Sequence, residues 1–295
     1  MSHSNGPSSR RTATQSGGVE PSRKRARALG PASISALVIA RNEGANLAEC
    51  LASVSWADES VVVVDASSRD DTLEIAQREA DGVVVRAFDD FASQRNAGLE
   101  AARGAWIFAV DADERVTSGL ALEIRAALDA SRHAASVDDR AHAPCSGYRV
   151  PIRSVVLGRR FRFSGTQDDL PLRLFRRDRG RWVGAVHETV DLSGAVETLR
   201  EHIEHCTIPD LNTFLAKINK YTTLEAIKLE QAGRRPSLFD LVARPIYTFM
   251  KLYFAKQGFR DGWEGFVFCS LSGVSDAVRH WKLRERLASA GGSAR

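Results

Sequence analysis

The chain has 295 residues, of which 43% are hydrophobic and 26% charged, and its formal net charge is +4. These proportions are ordinary for a soluble globular protein and allow one large domain or two small ones. The charge is uneven, because residues 1–30 contain six basic residues against Glu20 alone. The remaining chain has a net charge of −1, so the basic balance gives no support to a nucleic-acid-binding body.

The cysteine spacing and the lack of long apolar runs bear on the compartment. The four cysteines have no paired spacing, which is typical of free thiols in a reducing compartment. No run of 18 apolar residues occurs, so we expect no membrane span. Arg10 and Arg11 precede polar residues, which argues against a twin-arginine signal. We expect a cytoplasmic protein and leave open a peripheral contact with the inner face of the cytoplasmic membrane.

Residues 1–32 differ in composition from the rest of the chain. They are rich in Ser, Gly, Pro and Arg and contain almost no bulky apolar groups. Such a segment cannot bury a core, and we expect a disordered basic tail. A tail of this charge could contact nucleic acid or anionic lipid, or it could be solvated without a role.

From residue 34 onward, apolar runs alternate with helical patterns. Strand patterns end near positions 40, 64, 86 and 110, about two dozen residues apart, and each interval holds one helical pattern. This rhythm predicts βαβ units and an α/β domain with a mostly parallel, Rossmann-like sheet and flanking helices. The first turn has no Gly-x-Gly-x-x-Gly and no P-loop, which argues against the usual dinucleotide and P-loop sites.

Acidic residues follow the most apolar strand pattern, at residues 106–110. Asp111 and Asp113 stand where this strand should end, and Asn42 and Asp65 follow two other strands. Because parallel strands end at the same edge of a sheet, we expect these residues to lie together. Two close carboxylates can share one Mg²⁺ or Mn²⁺. An acidic turn before a helix explains the same pattern without a metal.

The second half of the chain contains shorter strand patterns and many arginines. A helix is predicted over 118–128, a loop over 129–146, and short strands over 148–152, 173–176 and 186–192. Eight arginines between residues 159 and 181 could face phosphate groups or form a solvated rim.

Beyond residue 206 the pattern becomes helical, and we place a helical C-terminal region at 207–287 and a disordered tail at 288–295. Aromatic residues beside Lys and Arg in this region suit an element that lies on a membrane. Packing against the preceding domain explains them equally well.

Seven segments carry a family resemblance. They are residues 37–43, 61–72, 94–96, 110–115, 172–176, 186–188 and 258–262. Together they resemble the family 2 glycosyltransferases of GT-A fold, and the last three are similar to the branch of lipopolysaccharide-core β-glucosyltransferases. The likeness covers roughly residues 33–285, and it implies a nucleotide-sugar-binding and catalytic domain at 33–206.

The resemblance implies transfer of a sugar, a hexose from a UDP-sugar, to a lipid-linked saccharide such as lipopolysaccharide core. The residues that it places at the donor are Asn42, Glu43, Asp65, Gln94, Arg95, Asn96 and Asp111. It implies that Asp111 and Asp113 hold Mg²⁺ or Mn²⁺, with His187 as a third ligand or a diphosphate contact. Helix caps, turns and solvated helix faces explain many of these residues without a donor.

Inversion at the anomeric carbon requires a base for the acceptor hydroxyl. Our candidates are Asp169, Glu188 and Asp168, in that order. In the wider family that the chain resembles, the carboxylate that supplies the base often stands a few residues before an Arg, and Asp169 stands four residues before Arg173.

Three other hypotheses remain open. One is sugar transfer to a polyprenyl phosphate, although such enzymes often carry membrane spans. Another is a non-catalytic, basic-tailed nucleic-acid-binding protein. The third is a zinc site at His202, His205 and Cys206, which lacks a second ligand pair.

Overall fold

The computed structural model describes residues 19–21, 29–136, 145–166, 169–184 and 188–292. Its first half alternates strands and helices, as the apolar runs predict. The elements are β1 (Val19–Pro21), β2 (Ile34–Ala40), α1 (Gly44–Ser53), β3 (Glu59–Asp65), α2 (Thr72–Glu79), β4 (Gly82–Arg86), α3 (Phe91–Ala101), β5 (Trp106–Asp111), β6 (Glu114–Val116) and α4 (Ser118–Ser136).

The middle of the chain consists of short strands. They are β7 (Cys145–Arg149), β8 (Ile152–Val156), β9 (Arg159–Arg160), β10 (Leu172–Arg176), β11 (Gly180–Val183), β12 (Thr189–Leu192), β13 (Ala195–Thr198) and β14 (Ile203–Ile208).

The last part of the described chain is helical, as predicted. Its α-helices are α5 (Leu211–Gln231), α6 (Arg244–Met250) and α7 (Gly262–Gly292). Turns of π-helix, Phe239–Ala243 and Lys251–Ala255, flank α6, and a 3₁₀ turn, Gly258–Asp261, precedes α7. No helix in the described ranges combines the length and the apolar character that crossing a bilayer requires.

The central sheet has eight strands in the order β1-β4-β3-β2-β5-β10-β7-β13. Strands β4, β3, β2 and β5 are parallel, whereas β10 lies antiparallel between β5 and β7. The predicted α/β class and mostly parallel sheet are therefore confirmed.

The register of the parallel strands places the acidic residues at one edge. Ala40 lies opposite Val64, and Ile39 lies opposite Asp111. Asp65 and Asp111 therefore flank the carboxyl end of β2 on its two sides. This follows from parallel pairing, which aligns the strand ends where loops emerge.

Both faces of this sheet are covered, which explains the unbroken apolar runs of its strands. On one face Val38 and Phe108 pack in the cluster that includes Leu120 of α4, and on the other Leu37 and Ile107 pack in the cluster that includes α3. Within α3, a Cβ at Gly98 would overlap the side chains of β2 and β3. This glycine therefore lets α3 lie close to the sheet, near the edge that carries Asp111.

A second sheet, in the order β6-β14-β8-β9, connects the central domain to the helical region. Phe161 beside this sheet packs with Phe214 of α5 and Phe268 of α7. Asp261 is buried and accepts hydrogen bonds from the backbone N–H groups of Arg162 and Phe163. The helical region thus shares a core with the second sheet.

Several predicted boundaries differ from the structure. The helix predicted over 118–128 continues to Ser136, and β7 begins at Cys145, so both ends of the loop predicted at 129–146 are wrong. Residues 137–144 lie outside the described chain. The strand predicted over 148–152 is interrupted, because β7 and β8 belong to different sheets. The predicted N-terminal tail contains β1, which pairs antiparallel with β4. At the other end, β14 crosses the predicted boundary at residue 206, and α7 extends into the predicted C-terminal tail.

Candidate functional site

A cavity of about 310 Å³ opens where β2, β3 and β5 end. We call it the first cavity, and its lining residues are Ile39, Ala40, Arg41, Glu43, Val63, Asp65, Phe88, Phe91, Gln94, Asp111, Ala112 and Asp113. It therefore combines the carboxylates of the strand ends with an aromatic pair. Phe88 and Phe91 meet edge to face, with ring centroids 5.0 Å apart, and both rings remain partly exposed.

Asp65 is the most buried carboxylate that lines this cavity, with 4% of its surface exposed. Its Oδ1 accepts a hydrogen bond from the backbone N–H of Ser67 at 2.8 Å, and its Oδ2 lies 3.3 Å from Nε of Arg41. The turn after β3 therefore fixes the orientation of this carboxylate.

Gln94 of α3 has a buried side chain for which the described part of the chain supplies no hydrogen-bond partner. Only 3% of its surface is exposed, and neither amide atom has a partner among the residues that the structure describes. Buried amide groups are rarely left unpaired in native proteins. A ligand with polar groups in the first cavity would supply the missing partners.

Asp111 is held by two arginines at the end of β5. Nη2 of Arg95, on α3, donates to Oδ1 at 2.7 Å, and Nη2 of Arg173, on β10, donates to Oδ2 at 3.1 Å. The same Nη2 of Arg173 donates to Oε1 of Glu114 at 2.5 Å. Oε2 of Glu114 in turn accepts from the backbone N–H of Asp111 at 2.8 Å. One network therefore joins α3, β5, β6 and β10.

The charges of this network shift the pKa values of its carboxyl groups in opposite directions. Burial by itself would raise the pKa of Asp111, but Arg95 and Arg173 outweigh it and hold that pKa far below its ordinary range. Burial raises the pKa of Glu114 above its ordinary value, and the nearby Asp111 charge acts in the same direction, against the attraction of Arg173. Asp111 is thus the firmly ionised member of the pair.

Asp113 has a different environment from Asp111. Its Oδ2 lies 2.9 Å from Nε2 of His205, and its backbone C=O accepts from the N–H of Cys206. His205 belongs to β14, where it lies opposite Glu114 of β6. The second sheet therefore places an imidazole beside this carboxylate.

The donor set at Asp113 fits a divalent cation of the Mg²⁺ or Mn²⁺ type. The carboxylate of Asp113 lines the first cavity and offers the oxygen ligands that such a cation prefers, whereas both oxygens of Asp111 accept from arginines. Within the described residues, no group of three His, Cys, Asp or Glu side chains could hold a metal by itself. A cation here would need further oxygen ligands from a bound substrate, as Mg²⁺ commonly has.

A second cavity, also of about 310 Å³, lies beside the first. Its lining residues are Arg95, Ala109, Asp111, Arg149, Pro171, Leu172, Arg173, Trp182, Glu188, Thr189 and Val190. Asp111 lines both cavities, so a group in one can lie next to a group in the other.

Comparison with known proteins identifies the family. The model of "Glycosyl transferase family 2" matches residues 35–185, just over half of the chain. The chain belongs to glycosyl transferase family 2. Both cavities are formed largely by residues of the matched segment, and the predicted glycosyltransferase activity is confirmed.

Two relatives are similar to this family 2 chain over most of their length. The lipopolysaccharide core biosynthesis glycosyltransferase LpsC of Rhizobium meliloti is 29% identical over 263 residues, which cover 86% of this chain and 93% of LpsC. An uncharacterized glycosyltransferase of Rickettsia felis is 28% identical over 264 residues, covering 86% and 90%.

Among solved structures, S. aureus TarS 1–349 in complex with UDP-GlcNAc covers 88% of this chain and 92% of its own, with 13% identity and a TM-score of 0.39. Glucosyl-3-phosphoglycerate synthase of Mycobacterium tuberculosis, in complex with Mn²⁺, UDP and glucosyl-3-phosphoglycerate, covers 70% and 81%, with 15% identity and a TM-score of 0.37.

The structure brings some of the predicted donor residues of this glycosyltransferase together and not others. Glu43, Asp65, Gln94 and Asp111 line the first cavity, and Arg95 lines the second. Asn42 and Asn96 line neither cavity. Oδ1 of Asn42 accepts from the backbone N–H of Arg69, and the amide of Asn96 pairs with both backbone polar groups of Trp182. These two asparagines connect backbone segments around the site.

The candidate bases also differ in position. Glu188 lines the second cavity, with its Oε1 3.6 Å from Nε of Arg95. Asp169 is exposed and lines neither cavity, although its charge acts on Arg173. Asp168 and His187 lie outside the described residues.

Several residues of the site were not assigned to it from the sequence. Glu114 stood within a resembling segment without a role, Arg173 was named among the arginines that could face phosphate groups but not as a partner of Asp111, and Phe88 gave no signal. His205 was considered only as a zinc ligand, whereas the structure directs it to Asp113. Pairing of β14 with β6 decides this contact, and a sequence pattern does not reveal which distant strands pair.

We expect Arg173→Met to lower the free energy of unfolding by about 3 kcal/mol, because it leaves Glu114 buried without its cation. Arg176→Met on the same strand is the matched control, since among the described residues Arg176 forms its ion pair with the exposed Asp178 and the variant should change stability by at most about 0.5 kcal/mol. Urea denaturation of both variants measures the difference. Equal small losses would show that the network does not stabilise the edge of the sheet.

Proposed function

We propose that this glycosyltransferase transfers a hexose from a UDP-sugar, with inversion and with the help of a divalent cation, to a lipid-linked saccharide such as lipopolysaccharide core. The observation that carries the proposal is the first cavity, where Asp65, Gln94, Asp111 and Asp113 converge at the ends of parallel strands. The likeness to LpsC supports the acceptor class.

The first cavity suits a nucleoside diphosphate. Phe88 and Phe91 offer aromatic surface for the base, and Asp65 and Glu43 offer carboxylate oxygens for the ribose hydroxyls. The amide of Gln94 can both donate a hydrogen bond to a ligand and accept one from it. Burial raises the pKa of Glu43, and the charge of Asp113 acts in the same direction, so Glu43 lies within electrostatic reach of the carboxylate that we assign to the cation.

Asp113 and His205 would hold the cation, while Asp111 is fixed by its two arginines. When bound, Mg²⁺ or Mn²⁺ would supply positive charge to the departing diphosphate. Arg95 and Arg173 keep Asp111 ionised and in one orientation at the junction of the two cavities. The chain thereby separates the cation-holding carboxylate from the carboxylate that organises the sheet edge.

Glu188 is the base that the structure favours, although the sequence ranked Asp169 first. Its carboxylate lines the second cavity together with Arg95, next to Asp111. An acceptor hydroxyl in the second cavity would lie beside a sugar that extends from the first. Glu188 would take the proton from that hydroxyl as its oxygen attacks the anomeric carbon.

The helical region offers a surface for the membrane in which a lipid-linked acceptor lies. Its apolar side chains are unusually exposed, for example Leu238 at 79%, Trp263 at 70% and Ile246 at 60%. Basic residues on the same segment, including Lys251 and Arg260, complement anionic headgroups. We therefore propose that this face binds an anionic bilayer at the cytoplasmic side.

The donor site is tested by calorimetric titration with UDP, with and without Mn²⁺, and with ADP as the contrast. We expect UDP binding that depends on the metal and is lost in Asp113→Asn, with turnover reduced at least about a hundredfold. Asp178→Asn, at an exposed carboxylate outside both cavities, should behave as wild type. Preference for ADP would refute the UDP donor, and near-normal turnover of Asp113→Asn would refute the cation site.

The base is tested by comparing Glu188→Gln with Asp169→Asn. We expect Glu188→Gln to lower kcat about a hundredfold or more while UDP affinity stays within about twofold, because we place the carboxylate at the acceptor hydroxyl and not at UDP. Asp169→Asn should retain most of the wild-type kcat. The opposite order would assign the base to Asp169. The measurement is UDP release from UDP-glucose with purified lipopolysaccharide core as acceptor.

Membrane contact is tested by sedimentation with vesicles. We expect binding to vesicles that contain phosphatidylglycerol and little binding to pure phosphatidylcholine. Trp263→Glu combined with Ile246→Glu should remove binding, because both side chains would have to enter the interface. Leu122→Glu is the control, since Leu122 is 73% exposed on α4, away from the helical region. Equal binding by all three proteins would contradict the assignment of this face.

A further inference from the structure

Two arginines that line the second cavity have buried N–H groups for which the described residues supply no partner. Nη1 of Arg95 and Nε of Arg173 are buried, and neither has a hydrogen-bond partner within the part of the chain that the structure describes. The two residues are only 6% and 7% exposed. A buried N–H group on a charged guanidinium is costly to leave unpaired, so these atoms indicate a bound acceptor of hydrogen bonds.

The charges that line this cavity favour an anion. Three guanidinium groups, of Arg95, Arg149 and Arg173, stand against the carboxylates of Asp111 and Glu188. Arg149 is the exposed member, and its Nη1 donates to the backbone C=O of Leu170 at 3.1 Å. The lining residues therefore carry a formal charge of +1, three cations against two anions. Guanidinium groups bind phosphate and carboxylate with paired N–H donors.

The position of the cavity assigns this anion to the acceptor rather than to the donor. The first cavity holds the cation-binding Asp113, which would serve the diphosphate, and its own arginine, Arg41, pairs with Asp65. The second cavity holds Glu188, which we have proposed as the base for the acceptor hydroxyl.

We propose that the acceptor saccharide carries a phosphate or carboxylate group close to the hydroxyl that receives the sugar. Arg95, Arg149 and Arg173 bind this group in the second cavity. The proposal rests on the proposed function, because it defines the acceptor of that transfer. The indole ring of Trp182 limits the movement of the Arg95 side chain, because Cζ of Arg95 lies 5.9 Å from the ring centroid.

The test is calorimetric titration with D-glucose 6-phosphate, with D-glucuronate and, as the neutral control, with D-glucose. Each titration is run on the protein alone and on the protein saturated with UDP and Mg²⁺. We expect one of the anionic sugars to bind at least about tenfold more tightly than glucose in both states, as charge-assisted hydrogen bonds are stronger than neutral ones. Its phosphate or carboxylate identifies the preferred group.

Arg149→Gln is the informative variant, because its side chain is exposed and its loss should not unfold the protein. We expect it to weaken binding of the anionic sugar about tenfold while UDP affinity stays unchanged. Arg181→Gln is the matched control. It removes the same charge from β11, where Arg181 pairs with the exposed Glu100 outside the cavity, and it should bind both sugars as wild type does.

Two results would overturn the proposal. If UDP prevents binding of the anionic sugar and Arg149→Gln weakens UDP, the arginines serve the donor diphosphate. If glucose and both anionic sugars bind equally or not at all, the arginines only hold Asp111. A protein that binds no UDP would refute the proposed function instead, and the titrations without UDP would still decide whether the anion site exists.

Discussion

The site depends on the two ion pairs that Asp111 forms, one with Arg95 and one with Arg173. A single carboxylate at the end of β5 accepts from α3 through Arg95 and from β10 through Arg173. Strand β10 lies antiparallel beside β5, and its Leu174 and Phe175 pack in the two core clusters. The ion pair of Arg173 with Asp111 adds to this packing and to the strand hydrogen bonds. Asp111 lines both cavities. The network that fixes Asp111 therefore also fixes where the two cavities meet.

This arrangement divides two tasks between carboxylates that stand one residue apart. Two guanidinium groups balance the negative charge of Asp111, so the carboxylate stays ionised and fixed in orientation. Asp113 faces an imidazole from the second sheet. If both carboxylates bound a cation, Asp111 would no longer be available to pair with Arg173 of β10. The proposed donor and acceptor positions follow the same division between the two cavities.

The helical region has two faces with different chemistry. One face shares aromatic packing with the second sheet, so it supports the strand that carries His205. Elsewhere the region exposes large apolar side chains, and exposed basic residues occur in the same segments. The sequence left packing and membrane contact as equal alternatives for these residues. In the structure the packing alternative applies to Phe214 and Phe268, and the proposed bilayer contact applies to residues such as Trp263.

The sequence by itself determined the strands β2 to β5, their helices and the shared edge of Asp65 and Asp111, because burial on both faces demands unbroken apolar runs and parallel strands end together. It also indicated the family through short motifs at those ends. Only the tertiary structure decided that Arg173 reaches Asp111, that His205 faces Asp113, and that Asn42 and Asn96 bind backbone instead of lining a cavity. These contacts join residues up to 92 positions apart through strand pairing and side-chain direction. Local sequence periodicity reveals neither which distant strands pair nor where their side chains point.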